Sequence, residues 1–267
     1  MAQHNLSRAE IADIESHTSE QIFPLSMFSS ADELYRHALE ILSNVMFHQE
    51  LIYKDIPPDW AQTVLDRLDE EFEGRFSCHQ PWAINQKARW NRAGLTTTEE
   101  DEDLNVSVGT TISFVSGPYA NSRKEPDLFF EPGCRRFPSL VMESGWSESL
   151  SRHQDDVNLW LVGGQGEVKA TIILNWQRVT NTDTVKGSVY LYTLDRDGIP
   201  RLKQNITVFP APPPAQAATE QLVLSRREIF GGDVHQGRNP NDEFTFSINL
   251  LREMAIDALG WMGLVPA

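Results

Sequence analysis

One segment constrains the fold of this chain more than any other: Val168-Lys169-Ala170-Thr171-Ile172-Ile173-Leu174. It is a nearly continuous apolar run, without the polar alternation of a strand that has one wet face, so it reads as a strand covered on both sides. A sheet built around such a strand needs helices on each face, and the chain supplies helical patterns in alternation with other strand-like runs. The expected class is therefore α/β in the broad, α+β sense.

Local patterns fill in this frame. Residues 1–28 have weak periodicity and read as a flexible or loosely docked lead-in. Ser30-Ala31-Asp32-Glu33 supplies a capping box, and Leu34, Ala38, Ile41, Leu42 and Val45 recur at helical spacing through residue 47. A second amphipathic helix, 59–73, follows Pro57-Pro58, with Asp59 as N-cap and Trp60, Val64, Leu65, Leu68 and Phe72 as its stripe. Strand propensity dominates at 110–115, 127–130 and 138–143. Ser147 or Ser149 can cap a helix over about 149–162, in which Leu150, Val157, Trp160 and Leu161 share a face before Gly163-Gly164 ends it. Further strands are expected at 187–194, 203–209 and 220–225. The stretch 210–214 is a stiff, proline-rich connection, 231–237 a flexible loop, and 248–260 the closing helix.

Composition narrows the function classes. The net charge of −15 repels phosphate backbones and disfavours nucleic acid as a partner. The run Glu99-Glu100-Asp101-Glu102-Asp103 reads as a solvated loop. Cys78 and Cys134 have no CxxC-type spacing, which points to neither a zinc site nor a disulfide framework and fits a reduced compartment. No basic stretch followed by an apolar run opens the chain, and nowhere do eighteen consecutive apolar residues occur, so a cytoplasmic protein without a membrane span is expected. P-loop, dinucleotide and nucleophile-elbow motifs are absent.

The residues with chemical promise are Pro126-Asp127, the stretch Phe137-Pro138-Ser139-Leu140-Val141-Met142-Glu143-Ser144-Gly145-Trp146-Ser147-Glu148-Ser149, and Asp156-Val157-Asn158-Leu159-Trp160-Leu161. If 127–131 and 138–143 form an antiparallel hairpin, the start of the first strand lies beside the end of the second, and Asp127 and Glu143 become neighbours. Adjacent carboxylates repel, and a divalent cation is the usual remedy.

These motifs resemble the PD-(D/E)XK nuclease-like superfamily, the restriction-endonuclease-like fold, in a compact variant met mostly in fungi; the likeness covers about residues 110–176. The resemblance implies an αβββαβ core, a central mixed sheet flanked by helices, with additional C-terminal strands and a terminal helix, and Asp127 and Glu143 as ligands of Mg²⁺ or Mn²⁺. It also implies a lysine two residues after the glutamate, where this chain has Gly145. By the same resemblance, 29–267 form one domain: N-terminal helices in 29–95, the core in 105–180, and C-terminal strands and a helix in 181–267. The leading helix is then 29–47 or 59–73.

A missing preorganised charge commonly costs about 10²–10³ in rate. The nearest replacements are Lys169, on the following strand, and Arg152, on the intervening helix, although Lys169 also reads as a solvent-facing edge residue. His153 is a candidate acid or base near neutral pH, against the plainer reading of a satisfied, partly buried histidine. Trp146, Ser147 and Arg152 are candidate pocket residues, and Trp160 belongs to the core. Glu143 can instead cap the turn after it, and Asp127 can simply close the loop after Lys124. Three readings follow. In the first, which best fits the missing lysine and the acidic charge, a degenerate nuclease fold has been repurposed to bind or transform an organic small molecule by carboxylate acid–base chemistry in an aromatic pocket. The second is a Mg²⁺-dependent nuclease, and the third a non-catalytic scaffold.

Overall fold

A computed structural model describes residues 19–43, 49–57, 59–61, 63–64, 67–68, 78–133, 135–146, 150–232 and 234–267. The chain divides into two units, Met1–Arg75 and Phe76–Ala267. In the first, β1 (Ser19–Pro24) pairs in parallel with β2 (Gln49–Lys54), with Ile22 opposite Ile52, so the end of the expected lead-in is a strand. Between them lies α1 (Ala31–Ser43). Ser30 Oγ accepts the Glu33 N–H at 3.3 Å, while the Glu33 carboxylate accepts from Ser29 N–H at 2.8 Å, so the box closes one residue earlier than the sequence pattern implies. Leu34, Tyr35 and Ala38 are buried, and Leu34 and Tyr35 pack with Phe28 and Val64. Residues 44–47 and most of 59–73 lie outside the described residues.

The second unit opens with α2 (His79–Arg92), which the sequence pattern had not marked, and α3 (Thr98–Asp103), then β3 (Leu104–Ser107). A two-residue ladder joins β4 (Ile112–Ser113) to β5 (Arg123–Lys124). There follow β6 (Leu128–Pro132), β7 (Leu140–Trp146), α4 (Leu150–Gly163), β8 (Ala170–Arg178), β9 (Thr184–Leu194) and β10 (Pro200–Phe209). The chain ends with α5 (Pro214–Ala217), β11 (Gln221–Ser225), α6 (Arg226–Phe230), β12 (Glu243–Ser247), α7 (Ile248–Trp261) and β13 (Val265–Pro266). The main sheet has the order β10-β9-β8-β7-β6-β3, with β13 beside β9. It is mixed: β7 and β8 run parallel across the α4 crossover, and every other neighbour along that order is antiparallel.

The apolar run at 168–174 becomes β8, and every residue of 170–176 is buried. Register separates its two faces. Leu140, Met142, Ala170, Ile172 and Leu174 belong to the larger core with α2 and α7, whereas Val141, Ile173 and Phe129 pack with Val157, Trp160 and Leu161 of α4. The mixed sheet between helices is thus the α/β arrangement expected from the sequence.

Two expectations need correction. The strand at 110–115 shrinks to β4, because only Ile112 and Phe114 turn inward while Val115 is 62% exposed; Leu104–Ser107 takes the sheet position beside β6 instead. The acidic run is a helix, not a solvated loop. Thr97 and Glu100 form a reciprocal capping box, and Glu100 is fully buried against Arg226 and Arg238. A buried arginine needs such a partner, and the helix start favours acidic side chains.

The outer edge of β12 is covered by α2. The Trp82 indole donates to Ser247 O at 2.8 Å and the Trp90 indole to Thr245 O at 3.0 Å, which satisfies carbonyls that would otherwise invite another strand. Cys78 is buried and free; Cys134 lies outside the described residues. No helix among the described residues is long and apolar enough to cross a membrane.

Candidate active site

The β6–β7 hairpin sets the site. Leu128 pairs with Met142, so Asp127 and Glu143 stand one residue further on, beside each other on the α4 face. Asp127 is exposed, and its Oδ2 accepts the Ser144 N–H at 2.6 Å. Glu143 is only 8% exposed, and its Oε1 accepts the indole N–H of fully buried Trp160 at 2.6 Å.

A lysine reaches this pair from outside the hairpin. The β4–β5 segment is pinned by Phe114, whose ring packs 5.5 Å from both Trp160 and Phe137 and whose backbone bonds Ser122 and Asn121. That anchor carries Lys124 over the sheet, where its Nζ lies 3.6 Å from Glu143 Oε1 and 2.5 Å from Asp156 Oδ1. Asp156 and Trp160 sit one turn apart on α4 and so face the same way.

Burial, reinforced by Asp127 and Asp156, outweighs Lys124 and the Trp160 hydrogen bond and raises the Glu143 carboxyl to about 8. It therefore holds a proton at neutral pH. Burial pulls Lys124 down, but the surrounding carboxylates outweigh it and the net direction is up.

His153 completes the cluster from α4. It is 7% exposed, and its Nε2 lies 4.0 Å from the position a Cβ on Gly145 would take, so the imidazole borders the space that a lysine at 145 would enter. Burial lowers its pKa; Asp156 opposes the shift and Lys124 adds to it. A neutral imidazole and a protonated carboxyl thus flank Gly145. No protein-family model, curated protein or solved structure matches this chain.

Neighbouring groups extend the site. Asn175 pairs in register with Gly145 and is buried, and its Oδ1 has no hydrogen-bond partner among the described residues; neither has His153 Nδ1. An unmet buried polar atom costs about 1–3 kcal/mol, so both mark places for a water or a bound molecule. His79, at the start of α2, is buried and bonded to the Asp127 backbone, and burial pulls its pKa down against the pull of Asp127.

Asp127 and Glu143 are the two carboxylates that would hold Mg²⁺ or Mn²⁺, and such an ion keeps several waters of its own. Here one Glu143 oxygen is taken by an indole, Lys124 already supplies the positive charge, and no group of three ligand side chains converges among the described residues.

Of the residues singled out in the sequence, Asp127, Glu143 and His153 come together. Lys169 does not: it lies beyond the opposite end of the β7–β8 pair, with its Nζ on Gly166 O. Trp146 faces the other side of the sheet and packs on the larger core. Ser147 lies outside the described residues, as does the side chain of Arg152. Lys124 and Asn175 were missed, and Asp156 was singled out only as the first residue of the 156–161 motif, without a role of its own. The Asp156-to-Trp160 spacing of one helical turn was available to place Asp156; nothing local marks Lys124.

Proposed function

We propose that residues 76–267 form a nuclease-like fold turned to proton transfer on an uncharged, carbonyl-bearing organic small molecule. The reading rests on one observation: environments push Glu143 up and His153 down on either side of Gly145, which leaves an acid and a base both in working form near pH 7. The order of helix, three antiparallel strands, helix and parallel strand, formed by α2, β3, β6, β7, α4 and β8, supports descent from an αβββαβ core.

In this reading His153 Nε2 takes a proton from the carbon next to the carbonyl, and the Glu143 carboxyl gives its proton to the carbonyl oxygen, forming an enol. Reversal with return of the proton to a different carbon gives an isomer, and no electrons are exchanged. Lys124, bonded to Asp156, fixes the Glu143 carboxyl, and half-buried Tyr190 provides aromatic surface on the same face. General acid–base groups of this kind contribute about 10²–10⁴ each.

The test is a panel of β,γ-unsaturated ketones followed by ultraviolet absorbance. Turnover should follow a bell-shaped pH profile with its alkaline limb near 8, and Glu143→Gln or His153→Asn should each lose about 10²–10⁴ of it. Lys124 beside Glu143 favours a second reading, a nuclease whose lysine comes from another strand. Cleavage of DNA or RNA in Mg²⁺ or Mn²⁺, lost in Asp127→Ala, would establish that second reading and sink the first.

A further inference from the structure

A separate cleft of about 350 Å³ opens on the far face of the sheet, walled by α2, β11, β12 and the start of α7. Its lining is rich in donors. Gln86 is 2% exposed, and its Nε2 has no hydrogen-bond partner among the described residues. Arg89, one turn along on α2, is exposed and carries no ion pair among the described residues, in a protein whose net charge is −15.

The third contribution is a helix end. Asn249 lies in the first turn of α7, a helix of 14 residues with no acidic side chain in that turn. Such an end carries partial positive charge and favours an anion. Ser247 Oγ takes the Leu250 N–H and Glu220 O takes that of Ile248. The nearby carboxylates are already engaged, Glu220 with Arg252 and Glu253 with the Asn249 side chain.

We infer that this cleft binds a small organic carboxylate, with Arg89 and the start of α7 taking the charge and the Gln86 amide donating to a second acceptor on the ligand. Size selects an organic acid over a bare inorganic ion. At about 30 Å³ per water-sized volume the cleft holds on the order of ten heavy atoms, roughly the size of a dicarboxylate. The site is independent of the Glu143 cluster, which lies on the α4 face.

Calorimetric titration of succinate and of inorganic phosphate into the full chain tests this. Saturable succinate binding, tighter than that of phosphate, is expected; Arg89→Glu and Gln86→Leu should each weaken it by about tenfold or more, as the loss of a charge-assisted or buried hydrogen bond does. Glu143→Gln should leave it unchanged, so the inference and the proposed activity fail separately. Arg89 is exposed, so its variant reports on binding without disturbing the core. No saturable succinate binding, or binding indifferent to Arg89→Glu, would overturn the inference. Equal affinity for phosphate would overturn the carboxylate assignment.

Discussion

Glu143→Gln is expected to remove a steep pH dependence from the stability of the protein. The carboxyl titrates near 4.5 in an ordinary environment and near 8 in the fold. Between those values the folded protein keeps a proton that the unfolded chain releases, so stability falls as pH rises through the window. The slope is about 1.4 kcal/mol per pH unit, and the whole effect is on the order of 3–5 kcal/mol. Below the window both states are protonated and the group is neutral in its effect. Glutamine cannot ionise, and its carbonyl still accepts from Trp160. Urea unfolding at pH 5, 7 and 9 should therefore show the variant gaining on the wild type step by step. Parallel curves for the two proteins would show that Glu143 is an ordinary carboxylate.

The second large effect lies away from the site. Glu100→Ala is expected to cost about 3–5 kcal/mol, because it strands Arg226, which is 1% exposed, without its closest anion. Asp242, at 3.2 Å, recovers part of this. Glu100→Gln keeps the reciprocal cap with Thr97 while losing the charge, so the difference between the two variants separates cap from ion pair. Replacing the pair together, as Glu100→Leu with Arg226→Met, should restore much of the loss, since a buried pair is often no better than apolar packing of similar volume. Denaturant midpoints measure all three. A cost below about 1 kcal/mol for Glu100→Ala would place it among exposed pairs.

The parts of the fold that could be read from sequence are those whose signal is local. The apolar run at 168–174 named the central strand, since a strand buried on both faces has no polar alternation to hide it. The hairpin geometry put Asp127 beside Glu143 because antiparallel register follows from strand ends alone. Trp82, Gln86 and Trp90 recur at helical spacing and could have revealed α2, but the intervening residues are so polar that the stripe is thin. Phe244 and Phe246 alternate correctly for β12 within a strand of only five residues. Glu100 was misread for a different reason. Its run looks solvated, and the arginines that bury it lie 126 and 138 residues away. Lys124 was invisible as a site residue because its place depends on Phe114 seating between Trp160 and Phe137.

Everything proposed for the site turns on whether Glu143 carries a proton at neutral pH, and that can be observed directly. Carbon-13 NMR of glutamate side-chain carboxyls, with the Glu143 signal assigned by its absence in Glu143→Gln, follows the titration of this one group. A midpoint near pH 8 is the expected result. A midpoint near 4.5 would contradict it and leave the cluster an ordinary salt bridge between Lys124 and its carboxylates.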